Sequence, residues 1–296
     1  MTFMNLFRRA KANAPPSEST SFFPSVFLTP ELPLVELWFD EDGWLQTTGR
    51  WSVEHKPLQV LFWKGMHQVI KENYENRLIG TTTHYTALGD GRKTATRFHR
   101  HDANKLAGKD YRSVSTHFIV CRDGHIIQLA SINDRTWHAA RKGLSFTVPA
   151  TRGNPARGSR NPNHWFVGVD LANWGWLTIN GPEGPKTWTG SKLKGSSLYY
   201  GRSETSSNKH HTWEDYPQLQ VDAYTELMDS LMSELEMPRE CNVRHEDIDP
   251  GRKVDPGPAL PFHRILDDIY KTQPTFVEDD DSSSYWNERA GGEDIA

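Results

Sequence analysis

The period of apolar and polar positions changes from segment to segment along the chain. In LVELWFDEDGWLQ (34–46), apolar residues flank Glu41, Asp42 and Gly43, which predicts a hairpin turning at the Glu-Asp-Gly. RLIGTTTHYT (77–86) is a β-branched run and predicts a strand. KTATRFHRHDANK (93–105) is polar and predicts a short helix. VSTHFIV (114–120) and HIIQLA (125–130) predict two strands joined through CRDG, with Asp123-Gly124 as the turn signal. HWFVGVDLA (164–172) is strongly apolar, the pattern of a strand buried in mid-sheet. The clearest helix spans 217–237, where Val221, Tyr224, Met228, Leu231 and Leu235 recur every three or four residues. Pro217 suits its first turn. Strands with interspersed helices predict a single α/β sheet domain.

Elsewhere the periodicity lapses. Residues 1–33 are rich in Pro, Ser, Phe and Thr and predict an irregular N-terminal arm. Residues 142–163 and 174–212 read as long surface loops, of a length uncommon in segments without a role. The domain is therefore set at 34–272, followed by an acidic tail over 273–296.

Composition narrows the class. With 296 residues and 36% hydrophobic positions, the chain can bury a sizeable core and is not wholly disordered. Two cysteines, Cys121 and Cys241, exclude a disulfide scaffold and a four-cysteine zinc site, and both are expected as buried thiols. No apolar run approaches the ~18 residues of a membrane helix, so no membrane insertion is expected. The N-terminus shows no apolar stretch of about 7–15 residues behind a basic start. Synthesis in the cytoplasm without a cleaved signal is the expectation, with release or export needed to reach a cell wall. From Glu278 to Ala296 there are seven acids against Arg289, a charge of −6; the net charge of −4 then leaves +2 for the rest. A near-neutral body with scattered bases predicts no nucleic-acid partner, and the chain is expected to be a monomer.

Thirteen histidines point toward metal or acid–base chemistry. In RHEDIDPGRKVDPGPA (244–259), His245, Lys253 and Asp255 are separated by two Asp-Pro-Gly turn signals that fold the chain back on itself. An imidazole, an ammonium and a carboxylate can thereby approach one point. His84, at the end of a predicted strand, would complete a His/His/Asp set with a fourth position left for water, the arrangement of a catalytic zinc. Lys253 could stabilise a developing oxyanion. His117 on its strand is a rival ligand, and a lone strand histidine is commonly structural. The tryptophans of the second loop, Trp174, Trp176 and Trp188, suit either sugar stacking or hydrophobic anchoring.

THYTA (83–87 region), STHFIVCRDGHIIQLASINDRTWHAA, NHWFVGVDLANWG and RHEDIDPGRKVDPGPALPF, in this order, resemble the type 2 N-acetylmuramoyl-L-alanine amidases, whose fold is shared with peptidoglycan-recognition proteins. DEDGWL resembles the opening hairpin of that family. The resemblance implies a mixed central sheet flanked by helices, one zinc ion, and cleavage of the amide between the lactyl group of N-acetylmuramic acid and L-alanine in peptidoglycan or muropeptides. It implies His84, His245 and Asp255 as ligands and Lys253 as the group polarising the scissile carbonyl. Asp170 stands where the family usually has a glutamate as general base, and is shorter by one methylene, roughly 1.5 Å of reach against the ~2.6–3.2 Å a proton transfer requires. Trp137, His138 and Asn163 are implied substrate contacts. The alternative is a peptidoglycan-binding module of the same fold without catalysis.

Overall fold

The computed structural model describes residues 37–59, 78–109, 114–139, 162–179, 182–193, 195–203 and 211–272, all within the unit Val35–Ala296. The expected arm at 1–33, the tail at 273–296 and nearly all of the loop at 142–163 lie outside the described residues.

The predicted opening hairpin is β1 (Leu37–Phe39) paired antiparallel with β2 (Leu45–Thr47). Its turn closes with the Gly43 amide donating to the Asp40 carbonyl at 2.9 Å, and Gly43 takes a φ of 77° that favours glycine. The main sheet is built from β3 (Val53–His55), β4 (Gly80–Tyr85), β5 (Phe118–Val120), β6 (Ile126–Gln128), β7 (Phe166–Leu171) and β12 (Asn242–Arg244), in the order β12-β4-β7-β5-β6-β3. Among the described strands of this sheet only the β5–β6 pair is antiparallel, so the sheet is mixed. The apolar 164–172 segment supplies β7, buried at all six positions between β4 and β5.

Helices cover both faces. The polar helix is α1 (Gly91–Leu106), capped by the Asp90 carboxylate accepting from the Lys93 amide at 3.0 Å. The long amphipathic helix is α2 (Gln218–Leu235), with Pro217 at its N-cap. Short α3 (His245–Ile248) follows β12 directly, and α4 (Phe262–Thr272) ends the described chain. Val167, Val169 and Leu171 of β7 pack with Val221, Tyr224, Leu227, Met228 and Leu231 of α2 and with Ile265, Leu266 and Ile269 of α4 in the largest core cluster. On the other face, Ala95 and Phe98 of α1 meet Ile119, Ile127 and Leu129 in a smaller cluster. Ile79, Phe166, Val243 and Ile248 form a third.

The 174–212 segment departs from the expected loop. It holds a hairpin of β8 (Leu177–Ile179) and β9 (Pro185–Thr187), and β10 (Leu198–Tyr200), which pairs antiparallel with β11 (Thr212–Glu214). Each strand has three residues, too few for a period of two to show in the sequence. The segment is tied to the body through buried Glu214. Its carboxylate accepts from the Trp174 amide at 2.7 Å and pairs with Arg122 at 3.2 Å.

Candidate metal centre

Strand order brings together residues far apart in the chain. His84 lies near the carboxyl end of β4, with Asp170 as its register partner on parallel β7. On the other side Arg244 of β12 pairs with Thr83, so His245, the first residue of α3, follows beside His84. The carboxyl ends of three adjacent parallel strands thus carry His245, His84 and Asp170, the place where parallel sheets commonly build sites.

Asp255 arrives through the two Asp-Pro-Gly turns. At the first, the Lys253 amide donates to the Asp249 carbonyl at 2.9 Å. At the second, the Asp255 carbonyl accepts from the Glu246 amide at 3.0 Å, which fixes Asp255 against the start of α3. Gly257 follows with a φ of 76°, and a Cβ there would stand 2.7 Å from the buried Trp213 ring. Only glycine passes that point.

The result is a closed triangle of donor atoms. His84 Nδ1 and His245 Nδ1 are 2.8 Å apart, and Asp255 Oδ2 lies 3.1 Å from the first and 2.8 Å from the second. All three residues are buried. The protonation of His84 and Asp255 suits a cation. Burial, then the neighbouring His245, lowers His84 to about 4, so it is neutral at pH 7. Burial alone would raise Asp255, but the charge and hydrogen bond of His245 and the hydrogen bond of His84 hold it well below the usual carboxylate range. Neutral imidazole and ionised carboxylate are the forms that bind metal. A tetrahedral ion with ligands at about 2.0–2.1 Å spaces its donors by roughly 3.3 Å, a few tenths of an ångström from this triangle. The residues present therefore fit a zinc ion held by two nitrogens and one oxygen.

Asp170, the register partner of His84, is 8% exposed. Burial, then the Asp255 charge, pushes its carboxyl up to about 7, while the Thr116 hydroxyl and the Lys253 ammonium pull the other way. Lys253 is half-buried and acts electrostatically on both Asp170 and His84.

The rival ligand His117 does not enter the triangle. Its Nδ1 accepts from the Gly168 amide at 2.9 Å and its Nε2 faces the Asp134 carbonyl at 3.2 Å, so both nitrogens are taken up by backbone. Burial lowers it to about 4. Asn163, expected as a substrate contact, clamps backbone in this structure. It is 0% exposed, its Oδ1 accepts from the amides of His138 and Ala139 at 2.9 and 2.8 Å, and its Nδ2 donates to the Ala139 carbonyl at 2.7 Å. His138 also turns inward. Its Nδ1 lies 3.2 Å from His84 Nε2 and its Nε2 lies 3.1 Å from the Phe166 carbonyl. Trp137 is half-buried, with its amide donating to Ser115 Oγ at 2.8 Å. Among the loop tryptophans, Trp176 packs against the main core, while Trp188 is half exposed with its indole N–H on the Ala87 carbonyl.

Sequence reasoning missed Gly168. A Cβ there would stand 2.8 Å from His138 Cγ and 2.8 Å from Thr116 Oγ1, so its bare face makes room for both. A lone glycine inside an apolar strand was the available signal.

Residues 75–258 match the family described as N-acetylmuramoyl-L-alanine amidase. The chain belongs to that family. No curated protein matches the sequence. Among solved structures, AmpD, as a selenomethionine derivative, is similar at 18% identity, with a TM-score of 0.46 over 78% of this chain and 98% of that one. AmiD from E. coli, solved with anhydro-N-acetylmuramic acid-L-Ala-D-gamma-Glu-L-Lys, is similar at 20% identity and a TM-score of 0.40 over 77% of this chain and 64% of that one. The Drosophila peptidoglycan recognition protein SA is similar at 12% identity and a TM-score of 0.37, over 72% of this chain and 89% of that one. Membership of this amidase family rests on the family match, and the donor triangle lies within the matched span.

Proposed function

We propose that the chain is a zinc-dependent amidase that cleaves the bond between the lactyl group of N-acetylmuramic acid and L-alanine in peptidoglycan or its fragments. The observation that carries this reading is the buried His84–His245–Asp255 triangle, with His84 neutral and Asp255 ionised, within a chain of this family.

His84 Nδ1, His245 Nδ1 and Asp255 Oδ2 would hold the ion. When bound, zinc lowers the pKa of a coordinated water toward 7 and polarises a carbonyl. The remaining work belongs to the chain. Asp170, with a carboxyl at about 7, is present in both forms near neutrality. As carboxylate it takes a proton from the attacking water, and as acid it returns one to the leaving L-alanine nitrogen. The Lys253 ammonium supports negative charge developing on the carbonyl oxygen. Burial of the triangle excludes bulk water and strengthens each of these interactions.

The test is metal analysis joined to mass spectrometry of products from purified sacculi and soluble muropeptides. About one zinc per chain is expected, with peptides released bearing a free L-alanine N-terminus, activity lost on chelation and restored by zinc. Binding of sacculi without cleavage by the zinc-loaded protein would overturn the enzyme reading in favour of a binding module.

A further inference from the structure

The triangle requires His84 to keep Nδ1 free of hydrogen, and nothing in an isolated imidazole ensures this. Neutral imidazole carries its proton on either nitrogen, and the partner of one nitrogen decides the other. Deeper in the protein, the Phe166 carbonyl of β7 lies 3.1 Å from His138 Nε2. A carbonyl accepts and never donates, so His138 Nε2 carries the hydrogen. His138 sits among the rings of His84 and His117, with centroids 5.4 and 6.4 Å away, and has no carboxylate partner among the described residues. A cation would be costly there, so its Nδ1 is a bare acceptor. That acceptor lies 3.2 Å from His84 Nε2, which must then be the donor.

We infer that His138 is a positioning residue. It relays the polarity of the Phe166 carbonyl to His84 and fixes the Nε2–H tautomer, which aims the His84 Nδ1 lone pair into the triangle. Two features hold the relay in place. Asn163 Oδ1 anchors the His138 backbone amide at 2.9 Å, and Gly168 leaves the space that the His138 ring occupies. Among the described residues His245 has no such device, since none of them offers its buried Nε2 a hydrogen-bond partner. The relay therefore acts on one ligand of the two.

The consequence for metal affinity rests on the zinc reading above; the tautomer does not. Long-range 1H–15N correlation spectra of the metal-free full-length protein should show His84 as the Nε2–H tautomer, and His138→Ala should abolish that preference. Zinc affinity, measured by chelator competition, should fall about 10–100-fold in His138→Ala, the usual cost of losing an outer-shell partner of a ligand. His138→Gln can accept from His84 and donate to Phe166, and should return to within about tenfold of wild type. The unfolding temperature of the chelated variants separates this from misfolding. An Nδ1–H tautomer of His84 in wild type overturns the relay, as does equal zinc affinity in the wild type and a folded His138→Ala. A wild type that binds no zinc removes the enzyme reading instead, and the His84 tautomer alone then decides the relay.

Discussion

The two faces of β7 carry opposite chemistry from alternate residues of one strand. Val167, Val169 and Leu171 enter the apolar core under α2 and α4, whereas Phe166, Gly168 and Asp170 face the side that holds the donor triangle. β4 repeats the split. Thr83 meets Tyr224 of α2, and His84 beside it meets His245 and Asp255. One face stabilises the fold by burial and places few demands on charge. The other holds three imidazoles and two carboxylates out of water, which is costly unless something binds them. The difference implies that substitutions on the two faces should separate stability from metal chemistry.

The largest separation is expected from Asp255→Ala. It removes one donor and the charge that balances a cation, so zinc retention and hydrolysis should fall to background while the apolar face is untouched. Metal content after dialysis checks this. Wild-type zinc content in the variant would dismiss Asp255 as a ligand. Next in size is Asp170→Ala, which should lower kcat by about 10²–10⁴, the usual range for a lost acid–base group, and leave zinc bound. Asp170→Glu should keep or raise activity. A fully active alanine variant would take Asp170 out of the mechanism.

Leu171→Ala probes the other face. The side chain is wholly buried in the main cluster, so stability should drop by about 2–5 kcal/mol with zinc affinity unchanged. Denaturant unfolding and chelator competition on one sample would show whether the faces are independent.

Parts of this arrangement were legible in the sequence. The run FVGVD is apolar enough to announce a buried strand, yet its two faces are not announced, because Phe166 and Gly168 break no hydrophobic pattern. The paired Asp-Pro-Gly turns marked where His245, Lys253 and Asp255 fold together, since turn residues act locally. That His84 joins them depends on β12 lying beside β4, a pairing of strands over 150 residues apart that no local period encodes; its strand-end position made it a candidate with His117 as rival, and the family resemblance chose between them. The same resemblance assigned Asn163 and His138 to the substrate. In the structure Asn163 is buried against backbone and His138 is half-buried beside His84, placements of which a motif carries no record. The hairpin within 174–212 escaped because three-residue strands have no measurable period.

Acid titrates the contrast between the faces. Burial holds both His84 and His117 at about 4, against an ordinary 6.5. Between those values the unfolded chain binds protons that the folded chain refuses, so stability is lost as pH falls through the window. Asp170 works in the opposite sense: its raised carboxyl, at about 7 against 3.8, keeps a proton that the unfolded chain releases. Two histidines outweigh one aspartate, so the unfolding temperature of the chelated protein should climb from pH 4 to 6.5. Asp170→Asn should steepen that climb. A flat profile would show that the polar face opens to water before the protein unfolds.

The smallest effect tests the polar exception on the apolar face. Thr83 Oγ1 and Tyr224 OH lie 2.8 Å apart and are buried. Thr83→Val or Tyr224→Phe alone strands one hydroxyl and should cost about 1–3 kcal/mol, whereas the double replacement removes both partners and should be nearly neutral. Thr83 adjoins His84 along the chain, but its side chain points to the opposite side of the sheet. Zinc affinity should therefore stay within about twofold in all three variants, a difference well below the 1.4 kcal/mol of a tenfold change. A larger shift would mean that the backbone of β4 transmits packing under α2 to the ligand on its other side, and the faces would then have to be treated as one coupled unit.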